Sequence, residues 1–183
     1  MGKILLAMLF LVMSANAIFA QKYLTRTGKI YFSAIVPATP EVEATNNEVA
    51  IIIDAKTGEI VCQVPVKSFK FQRELMQEHF NENYMESDKY PKSEFKGTIT
   101  NLNSVNFTKD GTYNATVRGN ITIHGVTHEV TVTGTITVKG STLELKAKFS
   151  VKLKDFNITI PNIVADKVAQ EATIILTSDL SPR

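Results

Sequence analysis

The sequence predicts an all-β domain of long antiparallel strands, either closed as a barrel or packed as a sandwich. Three observations carry that reading. From residue 95 onward apolar and polar residues alternate, with β-branched side chains throughout, as half-buried strands require. Short glycine-containing turns separate the runs and set one mutual register. The 183 residues hold 9 Gly and 6 Pro with no repeat or linker, which fits a single domain around a single core.

The chain opens with Lys3 and an apolar run from Ile4 to Met13, then Ser14-Ala15-Asn16-Ala17. A basic start, an apolar stretch and small residues beyond it are the parts of a secretory signal peptide. Ser14 and Asn16 break the run, which falls short of the ~20 apolar residues a membrane span needs. Residues 1–20 are therefore expected to be a signal peptide, cut after Ala17 or Ala20. Residues 21–183 are then one exported domain, periplasmic or secreted. In an oxidising compartment the single Cys62 is odd; it shares the parity of Ile60, Val64 and Val66 and reads as a buried small hydrophobe.

The first half of the domain is the less regular one. Tyr23–Ala34 supplies a first strand, and Pro37 and Pro40 mark the loop after it. Glu48–Ile53 and Ile60–Lys67 flank the turn-rich Asp54-Ala55-Lys56-Thr57-Gly58-Glu59. In Gln72–Asn83, Leu75, Met76, His79 and Phe80 fall at helical spacings, and Tyr90-Pro91 ends the segment. Lys92–Phe107 supplies a strand that feeds the Lys109-Asp110-Gly111 turn.

The second half is patterned tightly enough to assign partners. With His124-Gly125 as a two-residue loop, Ile123 faces Val126, and pairing runs Ile121–His128, Gly119–Val130, Val117–Val132, Ala115–Gly134 and Tyr113–Ile136. The Lys139–Thr142 loop then sets Val138 against Leu143, Ile136 against Leu145, Gly134 against Ala147, Val132 against Phe149 and Val130 against Val151. A one-residue slip would turn either strand inside out. Lys167–Leu180 is the last strand, and hairpin order favours an up-and-down barrel. In that register Ala115, Gly134 and Ala147 form an inward row of small residues. It either leaves space for an apolar ligand or is filled from opposite by Phe95, Phe107 or the 72–83 helix.

Composition excludes several classes. A net charge of +2 provides no basic footprint for nucleic acid. One Cys rules out a disulfide framework and a multi-Cys zinc site. His124 and His128 would make a metal pair on a helix, but here the hairpin sends one to the turn and the other to the apolar face. No nucleophile elbow, phosphate loop or paired-carboxylate signature is present, so no catalytic residue and no cofactor are expected.

Three stretches carry a resemblance. His79–Pro91 with Phe95-Lys96-Gly97, the hairpin Gly119-Asn120-Ile121-Thr122-Ile123-His124-Gly125-Val126-Thr127, and Phe149–Phe156 with Ile158 together resemble the YceI-like family. The opening strand departs from the family pattern, with Thr27–Ser33 and no His before His79. The resemblance implies an eight-stranded, up-and-down, lipocalin-like barrel with a short helical insertion around residues 72–83. It implies an exported binding protein, not an enzyme, that holds an isoprenoid or other long-chain apolar lipid inside the barrel. The wall positions are Phe95 on the entry strand; Ala115, Val117, Gly119 and Ile121 on the next; Val130, Val132, Gly134 and Ile136 after the hairpin; and Ala147, Phe149 and Val151 on the seventh strand. The expected partner is that lipid, with transient membrane contact and a homodimer compatible with it and no nucleic acid. Two other classes remain: an envelope or stress-response interaction module with the barrel as a mere scaffold, and a metal enzyme needing His79 and His128 at one point.

Overall fold

The computed structural model describes residues 22–36 and 42–183. The expected leader and the loop around Pro37 and Pro40 lie outside the described residues. Eight antiparallel strands run in chain order around a closed barrel: β1 (Lys22–Ser33), β2 (Glu43–Asp54), β3 (Glu59–Pro65), β4 (Lys92–Ile99), β5 (Gly111–Ile123), β6 (Val126–Lys139), β7 (Thr142–Lys152) and β8 (Glu171–Pro182). Strand β8 pairs back onto β1 and closes the ring.

Several boundaries differ from the sequence reading. Strand β2 begins at Glu43 because Asn46 is buried inside the barrel. Its Nδ2 donates to the Pro65 carbonyl at 2.7 Å and its Oδ1 accepts from the Glu48 amide at 2.8 Å, so a polar residue occupies an inward position. Strand β3 stops at Pro65, which has no amide to donate, and a 3₁₀ turn follows over Val66–Ser68. The expected 72–83 helix is an α-helical turn, α1 (Glu74–His79), that widens into a π-helical turn over Phe80–Tyr84. The strand expected to reach Phe107 ends at Ile99, where a 3₁₀ turn at Leu102–Ser104 turns the chain. Strand β8 starts at Glu171 and not at Lys167, because the Lys167 amide closes a turn onto the Val164 carbonyl.

The β5–β6 hairpin has the predicted register over its whole length, from Ile123↔Val126 to Gly111↔Val138. His124 and Gly125 both take positive φ, 51° and 75°, as a primed turn demands. The β6–β7 ladder is correct only in its lower part. Lys139↔Thr142, Val138↔Leu143, Ile136↔Leu145 and Gly134↔Ala147 pair, and the ladder ends there. The expected Val132–Phe149 and Val130–Val151 pairs do not form. The chain leaves β7 in a 3₁₀ turn, Leu153–Phe156, which lies on the upper part of β6 in place of a longer ladder. His128 Nε2 donates to the Asp155 carbonyl at 2.7 Å, and His124 Nδ1 to the Phe156 carbonyl at 3.1 Å.

The barrel has two unlike halves. The turns β2–β3, β4–β5 and β6–β7 gather at one end, where Ile53, Val138, Leu143 and Leu180 are fully or almost fully buried and plug the interior. The connections β3–β4 and β7–β8 lie at the other end, and the space below them is hollow.

Candidate functional site

The hollow half encloses a cavity of about 450 Å³. That volume falls within the ~300–1,000 Å³ typical of ligand pockets. The predicted row of small residues forms one wall: Ala115 pairs with Gly134 and Gly134 with Ala147, and all three line the cavity. A Cβ on Gly134 would stand 2.4 Å from the Lys146 carbonyl oxygen, so glycine is what lets β6 and β7 meet at the last rung of their ladder.

Ten of the twelve expected wall residues face this space: Phe95, Ala115, Val117, Ile121, Val132, Gly134, Ile136, Ala147, Phe149 and Val151. Gly119 and Val130 do not. Gly119 sits against Gly97 of β4, where a Cβ would meet the Lys96 carbonyl oxygen at 2.3 Å, and the Phe95 ring folds over Gly97. Phe95 therefore presents the wall in place of the two glycines. Val130 lies above the last β6–β7 rung, half-exposed and outside the lining.

A cluster of four phenylalanines was not legible as part of the site. Phe32 from β1 stacks on Phe80 at 5.3 Å and meets Phe69 edge-on at 5.3 Å, and Phe71 lies 5.0 Å from Phe80. All four line the cavity, so the β3–β4 connection roofs it with aromatic rings. The helical spacing of Met76, His79 and Phe80 was the available signal, and each of these reaches the cavity. Cys62 also faces it. Burial pushes its thiol up to about 12, so it behaves as a hydrophobe.

Polar groups stand at the margin. Glu94 is held below the ordinary carboxylate range by Lys92, whose Nζ lies 2.7 Å away, and it accepts from Gln63 Nε2 at 3.0 Å. His79 Nδ1 bonds the Asn83 amide at 2.9 Å. Among the described residues no group of three or more His, Cys, Asp or Glu is placed to hold a metal ion. His128 and His124 are occupied by backbone carbonyls. Leu75 and Ile163, on the connections at the hollow end, are the most exposed large hydrophobes described, at 61% and 85%.

An up-and-down barrel with a plugged floor, a roofed mouth and an apolar interior belongs to the lipocalin-like class of architectures. The model of the YceI-like domain matches residues 25–179, and the chain belongs to that family. A polyisoprenoid-binding domain from Saccharophagus degradans, implicated in plant cell wall breakdown, superposes with a TM-score of 0.75 at 10% identity, over 90% of this chain and 99% of its own. Burkholderia cenocepacia BcnA gives 0.68 at 19% identity, over 83% and 95%. The YceI protein of Campylobacter jejuni gives 0.56 at 12%, over 74% and 81%. At such identities these likenesses establish the fold. A search of curated proteins returns no match to this chain.

Proposed function

We propose that the chain is an exported binding protein that holds an isoprenoid or another long-chain apolar lipid in its barrel, without catalysis. The observation that carries this reading is the hollow half itself, a cavity walled by Ala, Gly, Val, Ile and Phe. A methylene takes about the room of a liquid water, ~30 Å³, so the cavity has space for about 15 of them. Burying each is worth about 0.8 kcal/mol, so a chain filling the space gains about 12 kcal/mol before the costs of association. Family membership supports the same reading, and so does the fold shared with a domain described as polyisoprenoid-binding. Loading from a membrane, by transient contact, fits a ligand this apolar.

Protein purified from its native host is to be extracted with organic solvent and the extract weighed by mass spectrometry. A long-chain lipid in near-stoichiometric amount is expected. Ala147→Phe, which places a ring in the cavity, is expected to emerge without it. An extract free of lipid from the unmodified protein would overturn the proposal.

A further inference from the structure

Where the β6–β7 ladder stops, at Gly134↔Ala147, the cavity lies directly behind the seam. Thr135 and Lys146 are partners on the outer face of the sheet, yet both line the cavity together with the inward pair Gly134 and Ala147. The cavity thus reaches the backbone of the last rung, and beyond that rung no ladder joins β6 to β7. Above that rung, Val126–Thr133 of β6 and Lys148–Lys152 of β7 have no ladder partner in each other. The opening is bounded below by Gly134↔Ala147 and above by the 3₁₀ turn that His124 and His128 hold to β6. It is a window in the side wall. Val132 and Phe149, half-exposed, form its inner edge.

Its outer rim has a definite chemistry. On the outward parity of the two strands beyond Thr135↔Lys146, β6 presents Thr131 and Thr133 and β7 presents Lys148 and Ser150, all four exposed. This rim consists of hydroxyls and an ammonium, with backbone groups beside them that lack ladder partners. It holds no carboxylate. Of the acids around it, Glu129 is engaged by Arg118 at 2.8 Å and Glu144 by Lys139 at 2.6 Å and by Lys146, while Asp155 stands exposed in the turn at the upper bound. Lys148 has no ion-pair partner among the described residues.

We propose that the β6–β7 window is where the polar end of a single-chain lipid leaves the barrel, and that Lys148 with Thr131, Thr133 and Ser150 holds an oxyanion head there. This rests on the lipid-binding reading above and adds the head-group class and its site. Phosphate and carboxylate share the chemistry that such a rim recognises.

Displacement of an environment-sensitive apolar dye by palmitate, hexadecanol, farnesyl phosphate and farnesol separates the cases. Each anion is expected to bind about tenfold tighter than its alcohol, the scale of one charge-assisted contact. A preference confined to one anion identifies the head as phosphate or carboxylate. Lys148→Glu is expected to erase the preference while leaving the alcohols unchanged; Lys56→Glu, at the β2–β3 turn, is expected to leave both alone. In a Cys62→Ala background, Thr131→Cys and Ser150→Cys bridged by a short bis-maleimide are expected to slow dye entry at least tenfold relative to the unbridged protein. Alcohols that bind as tightly as acids, with Lys148→Glu silent, or an unchanged entry rate after bridging, would overturn the window while lipid binding stands. Failure of all four probes to displace the dye would overturn both readings.

Discussion

The plugged and hollow halves of the barrel are built from the same eight strands with the same alternation, yet one is solid, with β6 and β7 laddered, and the other is empty, with those two strands unpaired. Strand β7 shows the difference in two successive inward residues. Leu143 is fully buried among Ile53, Val138 and Leu180 at the floor, whereas Leu145, two residues on, lines the cavity. What separates the halves is the size of the inward side chains and the length of the connections above them. Hydrophobic alternation decides which face turns inward; whether that face is filled depends on bulk.

The sharpest way to break this comparison is to make the same truncation at both positions. Leu143→Ala is expected to cost about 4 kcal/mol, because it opens a void in a packed region where every lost contact counts. Leu145→Ala is expected to cost about 2 kcal/mol, because one side of that side chain already faces empty space. Urea unfolding of the two variants measures the difference. Equal losses would mean that the upper half is packed as densely as the lower.

Much of the fold was legible because local chemistry propagates. His124-Gly125 admits one turn geometry, and that turn sets every rung from Ile123↔Val126 to Gly111↔Val138. The Lys139–Thr142 turn propagates in the same way, but only as far as Gly134↔Ala147. Beyond it, Val130, Val132, Phe149 and Val151 keep their inward parity while the strands part. Parity names a face and says nothing of whether two backbones stay within hydrogen-bonding reach. The first half of β2 was illegible for a different reason: Asn46 takes an inward place that pattern reading reserves for an apolar residue. The aromatic roof was hidden because Phe32, Phe69, Phe71 and Phe80 come from separate elements and meet only in three dimensions.

A smaller effect tests what keeps the open seam from spreading. His128 bonds the Asp155 carbonyl and sets its ring edge-on to Phe156 at 5.2 Å, so it ties the turn after β7 to β6 where no ladder does so. His128→Ala is expected to cost about 1 kcal/mol, the net worth of one hydrogen bond. In a chain of this size that lowers the melting temperature by about 2–4 °C. The same variant is expected to release bound lipid faster, since the upper bound of the window is loosened. A lowered melting point with unchanged release would place the window's control elsewhere.

The smallest effect lies in the closed part of the same seam. Glu144 of β7 stands between Lys139 of β6 and Lys146 of β7, and hydrogen bonds from these two ammonium groups bring its carboxyl down to about 2. A carboxyl lowered by folding contributes stability that is complete above its unfolded value, near 4.5, and that is lost as pH falls through about 2. The contribution is small because the groups face solvent. Following the Glu144 side chain by NMR between pH 5 and pH 1.5 is expected to show a midpoint near 2, and Lys139→Ala is expected to move it upward. Lys148, a rung above the closed part, has no such acid opposite it. An ordinary midpoint for Glu144 would mean that the lower rungs are not stitched across the strands, and the contrast between a neutralised closed seam and a cationic open one would fall with it.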